Sequence, residues 1–423
     1  MNLFYRRLQH DWASWLAVSF IALLPFGRLA EVPLSAFAIA WFVLMRTTEN
    51  RVMLRSSARF VLPLFLCYWI PMLLSSFDSM DLHKSWVQTF AALRYLAAAL
   101  AMSVLLRAPS DRERVLRWTA WLLLFWAVDG FVQLFLGRDL FGIAMHPDRL
   151  NALFVKKYQF FGPTLAMLSP LVLEHARRNW PSWGWALAFT LLLGAVMIAG
   201  MRAGWLTMAI VLGTYMVLML KRENRELRRT VLTIPVLVVI VIAGSYLASP
   251  LFQKRLDVTH AFTTGTEAVK DASSMERIPI FTNALRMYRA HPVNGVGVRA
   301  FPVAYMEYAD PDDVHIKKSG GVSGATHAHN VVLEVMSDTG TIGLAGLVLA
   351  LVFLLAYRRR TSPNERWEAF PFALAVILIL FPLNSHFALY GTYTSSLVWF
   401  QVGLWADALR KDVVTKAGSP GIE

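Results

Sequence analysis

The sequence predicts an all-α, polytopic integral membrane protein with about twelve transmembrane helices, and three observations carry that prediction. Of its 423 residues, 56% are hydrophobic and only 16% charged, with a mean hydropathy of +0.47. A chain this apolar has surface that must face lipid. Apolar runs approaching the ~20 residues that a helix needs to cross the hydrocarbon recur along it. Alternate loops together with the two termini hold 24 of its 41 Lys and Arg, the pattern of a chain that threads back and forth with its cations on one side.

The first apolar run follows Arg6, Arg7 and His10, and no small-residue cleavage site comes after it. It reads as a retained first helix. Spans are expected near residues 13–27, 33–46, 60–76, 86–106, 115–136, 158–174, 182–200, 204–220 and 231–248, so that 1–248 form a first transmembrane block. A loop of about 80 residues, 249–330, interrupts the series and is long enough to carry a small folded cap. Spans near 331–357, 369–386 and 393–409 complete a second block, 331–409, and residues 410–423 form a tail. The loops at 46–59, 107–117, 177–178, 221–229 and 358–366, with both termini, are cation-rich and therefore cytoplasmic, which puts the 249–330 loop outside. The net charge of +13 is accounted for by that bias and by attraction to anionic lipid, so no nucleic acid is expected as a partner. The single cysteine, Cys67, excludes a disulfide framework or a cysteine-based metal site within the chain.

Inside the long loop, residues 277–290 have apolar residues at helical spacing and end at His291-Pro292, which predicts a helix stopped by that proline. Gly295 and Gly297 follow, allowing a tight turn or close backbone approach. The polar stretch 308–326 reads as a mobile lid or linker.

Charges at membrane depth must be paired, hydrated or useful. Arg94 and Asp129 are expected to pair as a structural ion pair. Arg202, in Gly200-Met-Arg-Ala-Gly204, is either a snorkelling arginine or a functional one. Asp338 and Glu334 lie in the next apolar run, and Glu334 comes about one turn after His329-Asn330, where it orients the histidine or fixes the helix start. His329 is either a helix-capping histidine or a base, since a neutral imidazole accepts a proton from an attacking hydroxyl near neutral pH. His327, His329 and Glu334 offer metal-type ligands, but residues two apart on a helix point to different faces, and no metal is expected.

His329-Asn330, nine further residues and Gly340-x-x-Gly343 resemble the signature of the O-antigen ligase and polymerase superfamily. Arg277 followed by His291-Pro292-x-x-Gly295-Val-Gly297-x-x-x-Phe301 is similar to that family's outer-loop pattern, as is Arg202-Ala-Gly204 to its helix turn. The chain departs from the family at Met201, where Ser or Thr is frequent, and at Arg299, where a small residue is. The resemblance implies a C-type glycosyltransferase of the bacterial inner membrane with its active site in a large periplasmic loop domain and both termini cytoplasmic. It would transfer polysaccharide from undecaprenyl diphosphate to the lipid A-core, with membrane lipids around it. His329 would be the base and Arg202 and Arg277 would hold the diphosphate, with Asn330, Glu334, Gly295, Gly297 and His327 in support. Lys156, Lys157, Arg286 and Arg289 are weaker candidates for phosphate or acidic-core contacts. No cofactor is implied, because a diphosphate leaves as a stabilised anion and arginines can offset its charge. A polymerase or a protein O-oligosaccharyltransferase of the same superfamily, and a lipid-linked glycan flippase, are the competing readings.

Overall fold

The computed structural model describes residues 2–106, 108–147, 149–154, 158–220, 225–264, 277–383 and 387–409. Helix α1 (Asn2–Ala22) passes through a 3-10 turn, Leu24–Ala30, into α2 (Glu31–Leu44). Then come α3 (Thr48–Ser75), α4 (Leu82–Leu105), α5 (Pro109–Leu136), α6 (Phe161–Asn179), α7 (Ser182–Ile198), α8 (Arg202–Leu220) and α9 (Arg225–Ala248). The long loop contributes α10 (Pro250–Thr264), α11 (Ile278–Ala290), α12 (Phe301–Tyr308) and α13 (Val314–Lys318). The chain returns through α14 (Val331–Arg360), α15 (Pro363–Ile379) and α16 (Thr392–Ala408). No strand occurs among the described residues, only two isolated bridges at Arg138–Ala144 and His146–Arg149.

A helix occupies each stretch that the sequence marks as a span. Six of the described helices, α2 with its 3-10 turn, α3, α4, α5, α8 and α14, are long and apolar enough to cross a membrane by themselves. Several others lie in the interior of the bundle. From Phe161 to Ala176 every residue of α6 is buried, and α16 is buried on nearly all sides from Tyr393 onward. Helices buried all round take their polar partners from the bundle. Thr164 Oγ1 of α6 meets Tyr393 Oη of α16 at 2.7 Å, and Tyr68 Oη of α3 meets Ser395 Oγ of α16 at 2.9 Å. Glu174 of α6 is fully buried and is held by Arg177 and Arg178, each at 2.7 Å, while Arg178 also reaches Glu368 of α15 at 2.9 Å.

The expected Arg94–Asp129 pair does not form. Arg94 Nη2 donates to Glu31 Oε2 at 3.0 Å and its guanidinium covers the Tyr95 ring. Asp129 instead accepts the Leu140 N–H at 2.9 Å. The reason lies in helix adjacency, because α4 packs against α2 and brings Glu31 within reach of Arg94.

The long loop folds around its own small core. Ile280, Ala284 and Met287, one face of α11, bury against Phe301, Ala304 and Tyr305 of α12 and against Ala328. The polar stretch read as a lid or linker is tied to this core. Asp313 caps α13 through the His315 and Ile316 N–H groups and accepts the buried Tyr305 hydroxyl at 2.9 Å. Helix α11 also packs on α14, so the loop domain is seated on the helix that carries the signature residues.

Candidate functional site

The site is organised by a break in α14. At Gly340 the backbone turns left-handed, φ 63° and ψ −156°, which strands carbonyls before the break and N–H groups after it. Loop residues 292–299 satisfy both sets. The Val296 and Gly297 N–H groups donate to the Ser337 and Asp338 carbonyls at 2.8 and 3.1 Å, and the Thr341 and Ile342 N–H groups donate to the Pro292 and Val293 carbonyls at 2.9 and 3.1 Å. Contact this close needs the absence of side chains: a Cβ on Gly340 would run into Val293 O, and one on Gly295 into the Asp338 backbone. Gly297 packs directly on Ser79, and the Met80 N–H and the Ser85 hydroxyl bind the Val296 and Val298 carbonyls at 2.9 and 2.6 Å. The glycine motif therefore fixes the loop to two helices.

The histidines lie just before the start of α14, more than two turns along that helix from the break at Gly340. Asn330 caps α14, its Oδ1 accepting the Val332 and Leu333 N–H groups at 2.9 and 3.1 Å. Just before the cap, His329 adopts φ 52°, a left-handed conformation that costs a non-glycine residue roughly 1–2 kcal/mol. Strain of this kind in a non-glycine residue is a pointer to function. The His327 and His329 ring centroids are 3.9 Å apart. Burial, then the His329 ring, then the Arg299 guanidinium push the His327 imidazole down to about 3. His327 Nδ1 meets Thr326 Oγ1 at 3.1 Å, and Nε2 is enclosed without a hydrogen-bond partner among the described residues. Arg299 is the second strained residue, φ 65°, with its N–H on Asp338 Oδ2 at 3.0 Å.

Glu334 lies in the first turn of α14, where an acid suits the helix start, and it has a long-range role as well. Its carboxylate is buried and accepts the Leu389 and Tyr390 N–H groups, at 2.8 and 3.2 Å, in the segment leading into α16. It anchors that segment to α14. With both oxygens engaged on backbone, it is poorly placed to join His327 and His329 around a metal.

The predicted cations divide by place. Arg202 is exposed at the first residue of α8, and Arg277 is exposed at the N-terminal end of α11. Arg286 is engaged within the loop domain, by Asn283 Oδ1 at 3.2 Å, the Tyr308 carbonyl at 3.0 Å and Asp310 at 3.0 Å. Arg289 is exposed in the last turn of α11, where a cation suits the helix dipole. Lys156 and Lys157 lie outside the described residues. Two arginines were not assigned from sequence. Arg299 joins the histidine cluster, and Arg255 of α10 lies within Coulombic reach of Arg202. The only sequence signal for Arg255 is its place one turn after Phe252, the aromatic residue that α10 buries against α8.

Residues 187–348 match the family model described as O-antigen ligase. That stretch runs from α7 into α14 and contains Arg202, Arg255, Arg277, the glycine junction and both histidines. The match supports the O-antigen ligase superfamily, and the apolar helices with it indicate a multi-pass membrane protein. No curated protein matches the chain.

Proposed function

We propose that this chain, which the match supports as a member of the O-antigen ligase superfamily, joins an undecaprenyl diphosphate-linked polysaccharide to the lipid A-core on the periplasmic face of the bacterial inner membrane. The observation that carries the reading is the strained His329, placed immediately before the Asn330 cap of α14 with its ring centroid 3.9 Å from that of His327, an imidazole that burial keeps uncharged. His329 takes the proton of the acceptor hydroxyl as that oxygen attacks the anomeric carbon. The bond from that carbon to the diphosphate breaks on the opposite face, and its electron pair leaves with the diphosphate. Configuration at the carbon inverts, and no general acid is needed because the leaving group is already a stabilised anion.

Arg202 and Arg277 contact the diphosphate in this reading. A guanidinium stays charged at any working pH and binds phosphate oxygens in pairs, so it offsets the charge that grows as the bond breaks. Arginine supplies the charge compensation that a metal ion would otherwise give, and the reaction is metal-independent on that account.

Transfer in vitro tests this directly, with purified protein, lipid diphosphate-linked glycan, lipid A-core and a chelator. Ligated product is expected from the native chain and none from His329→Ala. Arg202→Ala and Arg277→Ala should each lose about a hundredfold or more, by analogy with removal of one preorganised oxyanion donor at ~3–4 kcal/mol. Rates within a few-fold of the native chain would remove their assigned roles. Extension of the donor without core would identify a polymerase, and product on a protein hydroxyl a protein O-oligosaccharyltransferase.

A further inference from the structure

Helix α10 is held to the first turn of α8 by an aromatic pair, Phe252 and Trp205, with ring centroids 5.2 Å apart. Both rings are fixed. Trp205 Nε1 donates to the Met197 carbonyl at 3.2 Å, and Phe252 is buried, with its N–H on Ser249 Oγ at 3.2 Å where α10 begins. Arg202 precedes Trp205 by three residues on α8, and Arg255 follows Phe252 by three on α10. Residues three apart on a helix share a face, so each guanidinium is carried one turn away from the same aromatic contact. The packing agrees. Arg255 Cγ lies against the left-handed turn at Gly200, 3.5 Å from where a Cβ would stand, and its charge acts on Arg202.

Two guanidiniums brought together beside an apolar bundle repel each other, and an anion between them reverses the sign of that interaction. We propose that Arg255 is a diphosphate-contacting residue that forms, with Arg202, a two-armed clamp on the donor's diphosphate. The inference rests on the reading that Arg202 faces that diphosphate. Two forks suit a diphosphate better than one, because its two phosphorus centres present separate sets of oxygens, and the charge that builds during transfer is shared between them.

The test uses the full chain reconstituted in vesicles, with the undecaprenyl diphosphate-linked glycan as the varied substrate and lipid A-core held constant. Arg255→Ala should lower kcat/KM for the donor by about 10- to 100-fold, the loss typical of one charge-assisted contact, while leaving the acceptor KM within about twofold. Arg255→Lys should recover part of the loss. The Arg202→Ala, Arg255→Ala double variant should lose less than the product of the two single losses, since the arms share one ligand. Inorganic diphosphate should compete with the donor on the native protein and more weakly on Arg255→Ala. Lys254→Ala, one residue away on the exposed surface, should change nothing.

If Arg202→Ala cripples transfer while Arg255→Ala melts like the native protein and keeps its donor kcat/KM, the clamp is overturned and the Arg202 reading survives. If neither arginine matters while His329→Ala abolishes transfer, the reading of Arg202 fails first. A defect that follows the phosphatidylglycerol content of the vesicles, with donor KM unchanged, would assign Arg255 to a phospholipid headgroup and overturn the clamp. Should Arg255→Ala fail to fold, Arg255→Lys and Arg255→Gln replace it. Equal donor KM in those two would then count against a guanidinium contact.

Discussion

His327 shows how one buried ring shapes both the chemistry and the pH response of this site. Its imidazole is held down to about 3 by burial, by the adjacent His329 and by Arg299, against an ordinary value near 6.5. Above about pH 6.5 the ring is neutral whether the chain is folded or not, and it contributes no slope. Between that value and about 3 the unfolded chain binds a proton that the folded chain refuses, so stability falls as pH falls, by ~1.4 kcal/mol per pH unit. Acidification from pH 7 to pH 5 should therefore cost about 2 kcal/mol through this residue alone. Melting temperatures in detergent at the two pH values should differ less in His327→Asn than in the native chain. An unchanged difference would mean that His327 is hydrated and titrates normally. The sequence pointed to His329 through ordinary imidazole chemistry and the family resemblance. The left-handed backbone at His329 and Arg299 could not be read there, since each residue type adopts that conformation only occasionally and its neighbours in sequence do not demand it.

At the scale of the element, α14 is where sequence reading succeeded in part and failed in part. Asn330 at the helix start and Gly340 within the helix were both visible as motif residues, and their jobs follow from elementary geometry once the loop is docked: a cap and a break. The partner of Glu334 was not visible, because it is the backbone of a segment 55 and 56 residues away. Local spacing suggested His329, and tertiary contact chose Leu389 and Tyr390. The same limitation explains Arg94, whose spacing says nothing about which helix will lie beside it. Glu334→Ala should strand two buried N–H groups, each costing about 1–3 kcal/mol when unpaired, and loosen the approach to α16. Glu334→Gln keeps one acceptor oxygen but turns an NH2 group toward the other donor, so it should destabilise nearly as much. Thermal melting reads this out. A Glu334→Gln protein as stable as the native one, with activity lost, would instead give the carboxylate a chemical role.

The whole molecule places its charge asymmetrically, and the proposed reaction depends on that asymmetry being oriented one way. Cation-rich turns such as Arg358–Arg360, beside Ser362, lie at one end of the bundle's helices, while the loop domain and its histidines join α14 at its other end. A lipid diphosphate-linked polysaccharide that has already been carried across the membrane can be met only if the histidine end faces the periplasm. The chain's single cysteine makes this measurable, since Cys67→Ala removes the one native thiol and leaves a background for engineered ones. A cysteine at Gly320, an exposed turn of the loop domain, should react with an impermeant maleimide in intact spheroplasts. One at Ser362, which caps α15, should react only after the membrane is permeabilised. Thr361→Cys is the companion variant, because it leaves that cap in place. The bias of Lys and Arg predicts this outcome by the cost of translocating cations. The reverse pattern would put His329 in the cytoplasm, where the assembled polysaccharide is absent, and the ligase reading would fall with the topology.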